Sequence, residues 1–178
     1  MDESGRSYLD TRNNVAHVGH GHPRVVQAIQ EQVQRLNTNT RYLHPNNVEL
    51  ARRLVEKLPE PLHKVIFVNS GSEANDLALR LARAYTRSKN TIVVDGAYHG
   101  HTLAVLEVSP YKYEHSQEFS LTENGTYQTP GKHIWKVPCP DIYRGEHRGT
   151  DAGAKYAAYV EEACQYYKEQ GERVGAFI

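Results

Sequence analysis

The sequence has 178 residues, of which 39% are hydrophobic, which is enough to bury the core of one domain or of part of a larger one. Lys and Arg together number 21 and equal the total of Asp and Glu, so no general basic field indicates nucleic acid or an anionic membrane as a partner. The two cysteines, Cys139 and Cys164, are too few for a disulfide framework and are expected to be free thiols in a reducing compartment.

The N-terminal part of the chain is rich in histidine and glycine. Residues 13–22 form a predicted loop that contains His17, His20 and His22 and ends at Pro23, a favourable first residue of a helix. The histidine spacing is compatible with zinc, but no cysteine or acidic ligand lies close by. We therefore predict a structural loop and no metal site.

Two amphipathic helices follow this loop. The first is predicted over residues 23–36, with apolar side chains along one stripe. The second is predicted from a cap at Asn46 or Asn47 to Leu58, with its apolar side chains facing a core. The polar loop between the two helices, residues 37–44, is the better functional candidate, because loops held by rigid helices often carry binding groups.

The next motif is a strand, a tight turn and a helix. Residues 65–68 are apolar, β-branched or aromatic and predict a buried strand. In the turn, Ser70 and Glu73 fit a capping box, which places the N–H groups of Gly71 and Ser72 in the first helical turn without intrahelical partners. Such a helix end can bind a phosphate, although the same residues also fit an ordinary capped helix.

A second strand, predicted over residues 91–95, leads into a loop that contains Tyr98 and His99. Two strands joined by one helix predict a βαβ unit, and hence a parallel sheet with ligands at the carboxyl ends of its strands. The turn after the first strand and the loop after the second then lie at the same edge. Their convergence favours the phosphate site over an ordinary capped helix.

The middle of the chain gives weaker signals. Residues 102–108 are apolar and ambiguous, whereas residues 114–132 are polar and predict a long surface loop. Residues 134–137 predict a short strand. Substrate preferences that depend on this loop are therefore the hardest to infer from other proteins.

The last predicted helix runs from a cap at Thr150 or Asp151 to Gln170. Its predicted apolar stripe consists of Ala157, Val160, Cys164 and Tyr167. Residues 174–178 start another apolar strand, and a chain that ends inside a core strand leaves unpaired backbone groups. We therefore expect the sequence to be a fragment that folds poorly by itself.

Several motifs, in order along nearly the whole chain, resemble the class III aminotransferases, which are pyridoxal phosphate (PLP) enzymes of fold type I. The strongest are the runs Asn69-Ser70-Gly71-Ser72-Glu73-Ala74-Asn75-Asp76 and Ala97-Tyr98-His99-Gly100-His101. The others are Tyr8-Leu9-Asp10, residues 13–23, Leu36-Asn37-Thr38-Asn39, Arg41-Tyr42-Leu43-His44, Ser109-Pro110-Tyr111-Lys112 and Tyr143-Arg144-Gly145. Within the family, the sequence looks most like the phospho-lyase branch, which acts on ethanolamine phosphate or 5-phosphohydroxylysine.

The resemblance implies an α/β fold, with a partial large domain in which helices flank a mainly parallel sheet. It implies an N-terminal segment over residues 1–45 and part of the large PLP-binding domain over residues 46–178. The cofactor-binding residues that it implies are Ser70, Gly71, Ser72, Tyr98 and His99, with the ring of Tyr98 stacked on the pyridine ring. In the family, the Schiff-base lysine and the aspartate that contacts the pyridine nitrogen lie beyond the position that matches Ile178. No catalytic residue is therefore assigned here, and the 178 residues alone are expected to be inactive.

The resemblance also implies a PLP-dependent lyase that releases phosphate and ammonia from a small phosphorylated amino substrate. Two alternatives stay open: a class III transaminase of the ω-amino acid or alanine-glyoxylate type, and a non-catalytic truncated partner. Arg41, Tyr42 and Lys112 are the candidate substrate-binding residues, since a cation in a loop can hold a second phosphate. The complete protein is expected to be a homodimer in the cytoplasm or the mitochondrion, with no nucleic-acid or membrane partner.

Overall fold

The computed structural model describes residues 1–9, 11, 16–39, 41–111 and 133–178. They form two compact units, Met1–Val65 and Ile66–Ile178. Within the described residues, no helix has both the length and the apolar character that a bilayer crossing requires. The domain boundary between residues 45 and 46 stays a prediction.

The described residues of the unit Met1–Val65 form two helices, α1 (Pro23–Arg35) and α2 (Pro45–Val55). Both were predicted, but the start of α2 differs from the expectation. The cap is His44, whose Nδ1 accepts from the N–H of Asn46 at 3.2 Å, and Pro45 takes the first helical position. A fixed proline φ suits that position, which explains why the helix begins before either predicted asparagine cap. It also ends earlier than predicted, at Val55 rather than Leu58.

The sequence predicts that the apolar side chains of α2 face a core. Within this unit they do not. Leu50 is 50% exposed and Leu54 is 42% exposed. The stripe of α1 is similarly open, with Ile29 58% exposed. The described part of this unit contains no strand, so two helices alone offer too little surface to bury both stripes.

The unit Ile66–Ile178 contains a parallel sheet of three described strands. These are β1 (Thr91–Val94), β2 (Ile134–Val137) and β3 (Ala176–Phe177), in the order β2-β1-β3. Thr91 lies opposite Ile134 on one side and Ala176 on the other. The predicted mainly parallel sheet flanked by helices is confirmed.

Helices cover both faces of this sheet. On one face, Val93 packs in a cluster with Leu79 of α3 (Gly71–Thr86) and Val105 of α4 (Leu103–Leu106). On the other face, Ile92 packs with Ala163 of α5 (Ala152–Glu169). Successive residues of a strand point to opposite faces, so neighbouring β1 residues anchor different helix layers. The sheet therefore fixes the start of the loop that follows β1.

The buried strand predicted over residues 65–68 is not formed. Ile66 is 62% exposed and Phe67 is 51% exposed, and both lie in extended chain outside the described sheet. A strand needs a hydrogen-bonding neighbour, and none of the three described strands pairs with residues 65–68. The βαβ unit predicted around α3 is therefore wrong in its first strand, although α3 and β1 are present.

The predicted stripe of α5 is confirmed at Tyr167, which is buried, and at Val160, which packs against the core, but not at Ala157 or Cys164. Cys164 is exposed rather than packed, and Asp151 occupies the cap position without a capping hydrogen bond from its side chain, which instead pairs with Lys155 at 2.8 Å. The buried residues of this helix are Ala152, Tyr156, Ala163 and Tyr167. Alanines occur all around α5, so the sequence carries little contrast between its faces, and the large tyrosines decide which one is buried.

Candidate functional site

Helix α3 begins with a side-chain cap at the position that the sequence predicts. Ser70 Oγ accepts a hydrogen bond from the N–H of Glu73 at 3.1 Å. The carboxylate of Glu73 reaches one residue further back than a capping box requires, since it accepts from the N–H of Asn69 at 2.7 Å and not from Ser70. This pair of bonds fixes the backbone of residues 69–73, where the helix begins.

The first two N–H groups of α3 are available to a ligand. Among the described residues, no group accepts a hydrogen bond from the N–H of Gly71 or Ser72. Space is open at Gly71, where an added Cβ would meet no atom within 4 Å. Two free donors at the positive end of a 16-residue helix favour an anion.

The loop after β1 packs directly on this helix end. Gly100 is buried, with φ of +140°, and a Cβ placed there would lie 2.6 Å from Ser72 Oγ and 2.8 Å from Ser72 Cα. The next residue, His101, donates its N–H to Ser72 Oγ at 3.0 Å. Only a glycine permits this approach, because any other side chain would overlap the helix backbone. The hydroxyl of Ser72 accepts this hydrogen bond and can donate its own proton to a ligand.

A second connection joins the same two segments. The side-chain amide of Asn75 donates through Nδ2 to the carbonyl of His99 at 2.6 Å. The N–H of His99 donates to Ser109 Oγ at 3.0 Å, and that hydroxyl donates to the carbonyl of Val105 at 2.6 Å. The peptide groups on both sides of His99 are therefore held in place.

Tyr98 lies between these fixed points and β1. Its side chain is 53% exposed, and its ring meets the ring of Tyr111 edge-on, with centroids 6.2 Å apart. The Cα atoms of Tyr98 and Ser72 are at most about 12 Å apart, since two Cα steps of about 3.8 Å separate Tyr98 from the Gly100 contact. The backbone of Tyr98 thus lies within about 12 Å of the start of α3.

His99 is inward-facing and electrically neutral at ordinary pH. Burial lowers the pKa of its imidazole below the usual value of 6.5, because desolvation disfavours the charged form. Its Nε2 is buried and has no hydrogen-bond partner among the described residues. The lowered pKa favours the neutral form of the His99 imidazole.

The structure brings together five residues singled out by the sequence: Ser70, Gly71, Ser72, Tyr98 and His99. It does not test the three substrate candidates. Arg41 and Tyr42 belong to the unit Met1–Val65, and the side chain of Tyr42 is 81% exposed there. Lys112, like the loop over residues 114–132, lies outside the described residues.

Sequence reasoning missed Asn75, Gly100 and Ser109 as parts of the site. Asn75 and Gly100 stand inside recognised motifs, so their identities were visible. Their contacts were not, because Asn75 meets a carbonyl 24 positions later and Ser109 meets an N–H ten positions earlier. Only the positive φ required at a glycine offers a local signal, and a sequence does not reveal φ.

A family model for the class III aminotransferases matches residues 1–178, which is the whole chain. This chain belongs to the class III aminotransferase family. It is 48% identical to alanine-glyoxylate aminotransferase 2-like of Drosophila melanogaster, over 100% of this chain and 35% of that protein. It is 45% identical to ethanolamine-phosphate phospho-lyase homolog 1 of Caenorhabditis elegans, over 84% of this chain and 30% of that protein. The chain thus spans about a third of the length of these relatives.

Solved structures of the same family share the fold. A phospholyase from Arthrobacter in complex with phosphoethanolamine matches with a TM-score of 0.77 and 34% identity, over 99% of this chain and 39% of that one. A taurine:2-oxoglutarate aminotransferase from Bifidobacterium kashiwanohense, in complex with PLP and glutamate, matches with a TM-score of 0.70 and 27% identity, over 89% of this chain and 35% of that one. The expected fold type I is confirmed, and family membership implies dependence on PLP.

The residues at the start of α3 fit the phosphate of PLP. The N–H groups of Gly71 and Ser72 and the hydroxyl proton of Ser72 supply three donors, and a phosphate oxygen is a strong acceptor. The half-exposed ring of Tyr98 offers an aromatic surface for a flat heterocycle. The chemistry of this donor set and ring therefore matches a phosphorylated aromatic cofactor.

Proposed function

We propose that the start of α3 and the loop after β1 form the phosphate and ring subsites for PLP in the complete protein. The observation that carries the proposal is the contact of Gly100 with Ser72, which brings the Tyr98 loop to a helix end with two unpartnered N–H groups. Family membership supports it, because a class III enzyme must hold the phosphate and the ring of the same cofactor.

Each residue of the site then has a physical task. Gly71 and Ser72 donate their backbone N–H groups to the phosphate, and the helix dipole adds to the attraction. Tyr98 limits the tilt of the cofactor ring and excludes water from one of its faces. When bound, PLP supplies the electron-withdrawing ring that makes reactions at the α-carbon of an amino substrate possible. His99 packs its partly buried imidazole beneath the loop, and its backbone is held by Asn75 and Ser109.

For the reaction, we propose a phospho-lyase that converts a phosphorylated amino substrate such as ethanolamine phosphate, together with one water molecule, into inorganic phosphate, ammonia and an aldehyde. The name of the C. elegans relative and the phosphoethanolamine bound to the Arthrobacter enzyme support this substrate class. The runner-up is transamination, which the name of the Drosophila relative favours. Arg41 and Lys112 are proposed to help hold the substrate phosphate, and the homodimer and the compartment stay predictions.

Two assays on the complete protein separate these reactions. With ethanolamine phosphate, a phospho-lyase releases inorganic phosphate at a rate that does not depend on an added keto acid. A transaminase instead consumes the keto acid, forms the corresponding amino acid and releases no phosphate. Keto-acid-dependent amino transfer without phosphate release would overturn the lyase assignment, while leaving the PLP site intact.

The ring subsite is tested separately by the affinity of the apoprotein for PLP. Tyr98→Leu should raise the dissociation constant about tenfold, because an aromatic contact contributes about 0.5–1.5 kcal/mol beyond its buried area. Tyr98→Phe should stay close to wild type, since the ring face is preserved. Tyr85→Leu is the matched control, because Tyr85 lies on α3, outside the proposed site, and is 92% exposed. Equal affinities for all four proteins would contradict the assignment of Tyr98.

A further inference from the structure

The loop after β1 is attached to α3 through two side chains on one helical face. Ser72 and Asn75 are three residues apart, so they lie one above the other on the helix surface. Ser72 receives the N–H of His101 at 3.0 Å, and Asn75 reaches the carbonyl of His99 at 2.6 Å. The two bonds bracket Gly100, whose backbone contacts Ser72 directly.

The same stretch of loop is held from its other side. Ser109 is fully buried, and its hydroxyl accepts from the N–H of His99 while it donates to the carbonyl of Val105. The hydroxyl therefore has both roles filled at 3.0 Å and 2.6 Å. The backbone next to Tyr98 is held between α3 and the turn that follows α4, and it cannot shift without the loss of a partly buried hydrogen bond.

We propose that Asn75 is a positioning residue that sets the separation between the phosphate subsite at Gly71 and Ser72 and the ring subsite at Tyr98. This inference rests on the proposed PLP function. PLP joins its phosphate and its ring through a short arm, so the two subsites bind it together only at one separation. Fixing that separation before binding removes an ordering cost that the cofactor would otherwise have to meet.

The bond from Asn75 acts on the carbonyl of His99, one residue after Tyr98, and Asn75 therefore works through the backbone rather than by contact with the cofactor. A role in fold stability alone makes a different prediction. Loss of a purely structural bond lowers the melting temperature and leaves the affinity of the folded protein unchanged. Loss of a positioning bond weakens a ligand that spans both subsites and spares a ligand that occupies only one.

The experiment compares two ligands of the complete apoprotein, PLP and inorganic phosphate. Asn75→Ala should raise the dissociation constant for PLP about tenfold, the usual effect of one lost hydrogen bond near 1.4 kcal/mol. The dissociation constant for inorganic phosphate should change less than twofold, because the N–H groups of Gly71 and Ser72 remain. The visible circular dichroism of bound PLP should weaken, since the ring is less firmly oriented.

Two further variants complete the test. Asn47→Ala is the matched control, because it removes an exposed asparagine side chain from α2, and both dissociation constants should stay at their wild-type values. Ser109→Ala releases the N–H of His99 on the opposite side and should reproduce the pattern of Asn75→Ala. It provides an independent answer should the first variant fold poorly.

The outcomes separate this inference from the function on which it rests. Wild-type affinity for PLP in both Asn75→Ala and Ser109→Ala would overturn the inference and leave the PLP site standing. Equal losses for PLP and for inorganic phosphate would also overturn it, because Asn75 would then support the anion site itself. Failure of the wild-type protein to bind PLP would instead contradict the proposed function.

Discussion

The packing of Gly100 against Ser72 gives a quantitative prediction for Gly100→Ala. The new Cβ would lie 2.6 Å, 2.8 Å and 2.9 Å from Oγ, Cα and Cβ of Ser72, and two of these atoms cannot rotate away. Displacing a packed backbone costs about 1–3 kcal/mol, and holding a non-glycine residue at a φ of +140° costs a further 1–3 kcal/mol or so. The free energy of unfolding should therefore fall by about 2–6 kcal/mol.

Chemical denaturation of the complete protein measures this loss, with Gly153→Ala as the matched control. Gly153 lies in α5, its φ is not positive, and an added Cβ there meets no atom within 4 Å. The same substitution should thus be neutral or raise stability by up to about 1 kcal/mol, because alanine favours helix. A Gly100→Ala protein as stable as wild type would refute the close packing of the loop on Ser72.

Three further predictions concern the cap, the buried histidine and the substrate candidates. Ser70→Ala should lower the free energy of unfolding by about 1 kcal/mol through loss of the cap, whereas Ser7→Ala, at an exposed site, should leave it unchanged in the same denaturation assay. Burial lowers the pKa of His99, so the imidazole takes up its proton in the unfolded chain first as pH falls. The free energy of unfolding should therefore decline below about pH 6.5. His99→Gln should make this decline with pH less steep in denaturation measured at several pH values. Arg41→Ala and Lys112→Ala should each raise the KM for ethanolamine phosphate, and unchanged values for both would remove these residues from the substrate site.

The start of α3 could be predicted from sequence because its signals are local. A serine cap followed three residues later by a glutamate is a short-range pattern, and Ser70 Oγ does accept from the N–H of Glu73. The strand β1 was also predictable, since all four of its residues are β-branched, and such side chains favour a strand. In both cases the signal lies within a few consecutive residues.

The errors fall where the outcome depends on distant partners. The run Ile66-Phe67-Val68 has strand-forming side chains, but a strand exists only when a neighbour pairs with it, and no described strand pairs with this run. Helical spacing placed Cys164 on one stripe with Tyr167, but Tyr167 is buried together with Tyr156 and Ala163, while Cys164 is exposed. Periodicity predicts that a helix has an apolar face, and tertiary packing decides which face is covered.

The same distinction applies to the site. Gly71, Ser72 and Tyr98 were recognised because they belong to compact motifs. The links that place the two motifs side by side, from Asn75 to His99 and from Gly100 to Ser72, run between segments more than 20 residues apart. No periodicity or turn signal carries that information, so the sequence predicts the parts of the site and the structure supplies their arrangement.

A crystal structure of the complete protein with PLP tests the central claim most directly. The account predicts phosphate oxygens about 2.7–3.2 Å from the backbone nitrogens of Gly71 and Ser72, with the ring of Tyr98 stacked against the pyridine ring. A cofactor phosphate bound elsewhere, with both N–H groups facing water or protein, would contradict it.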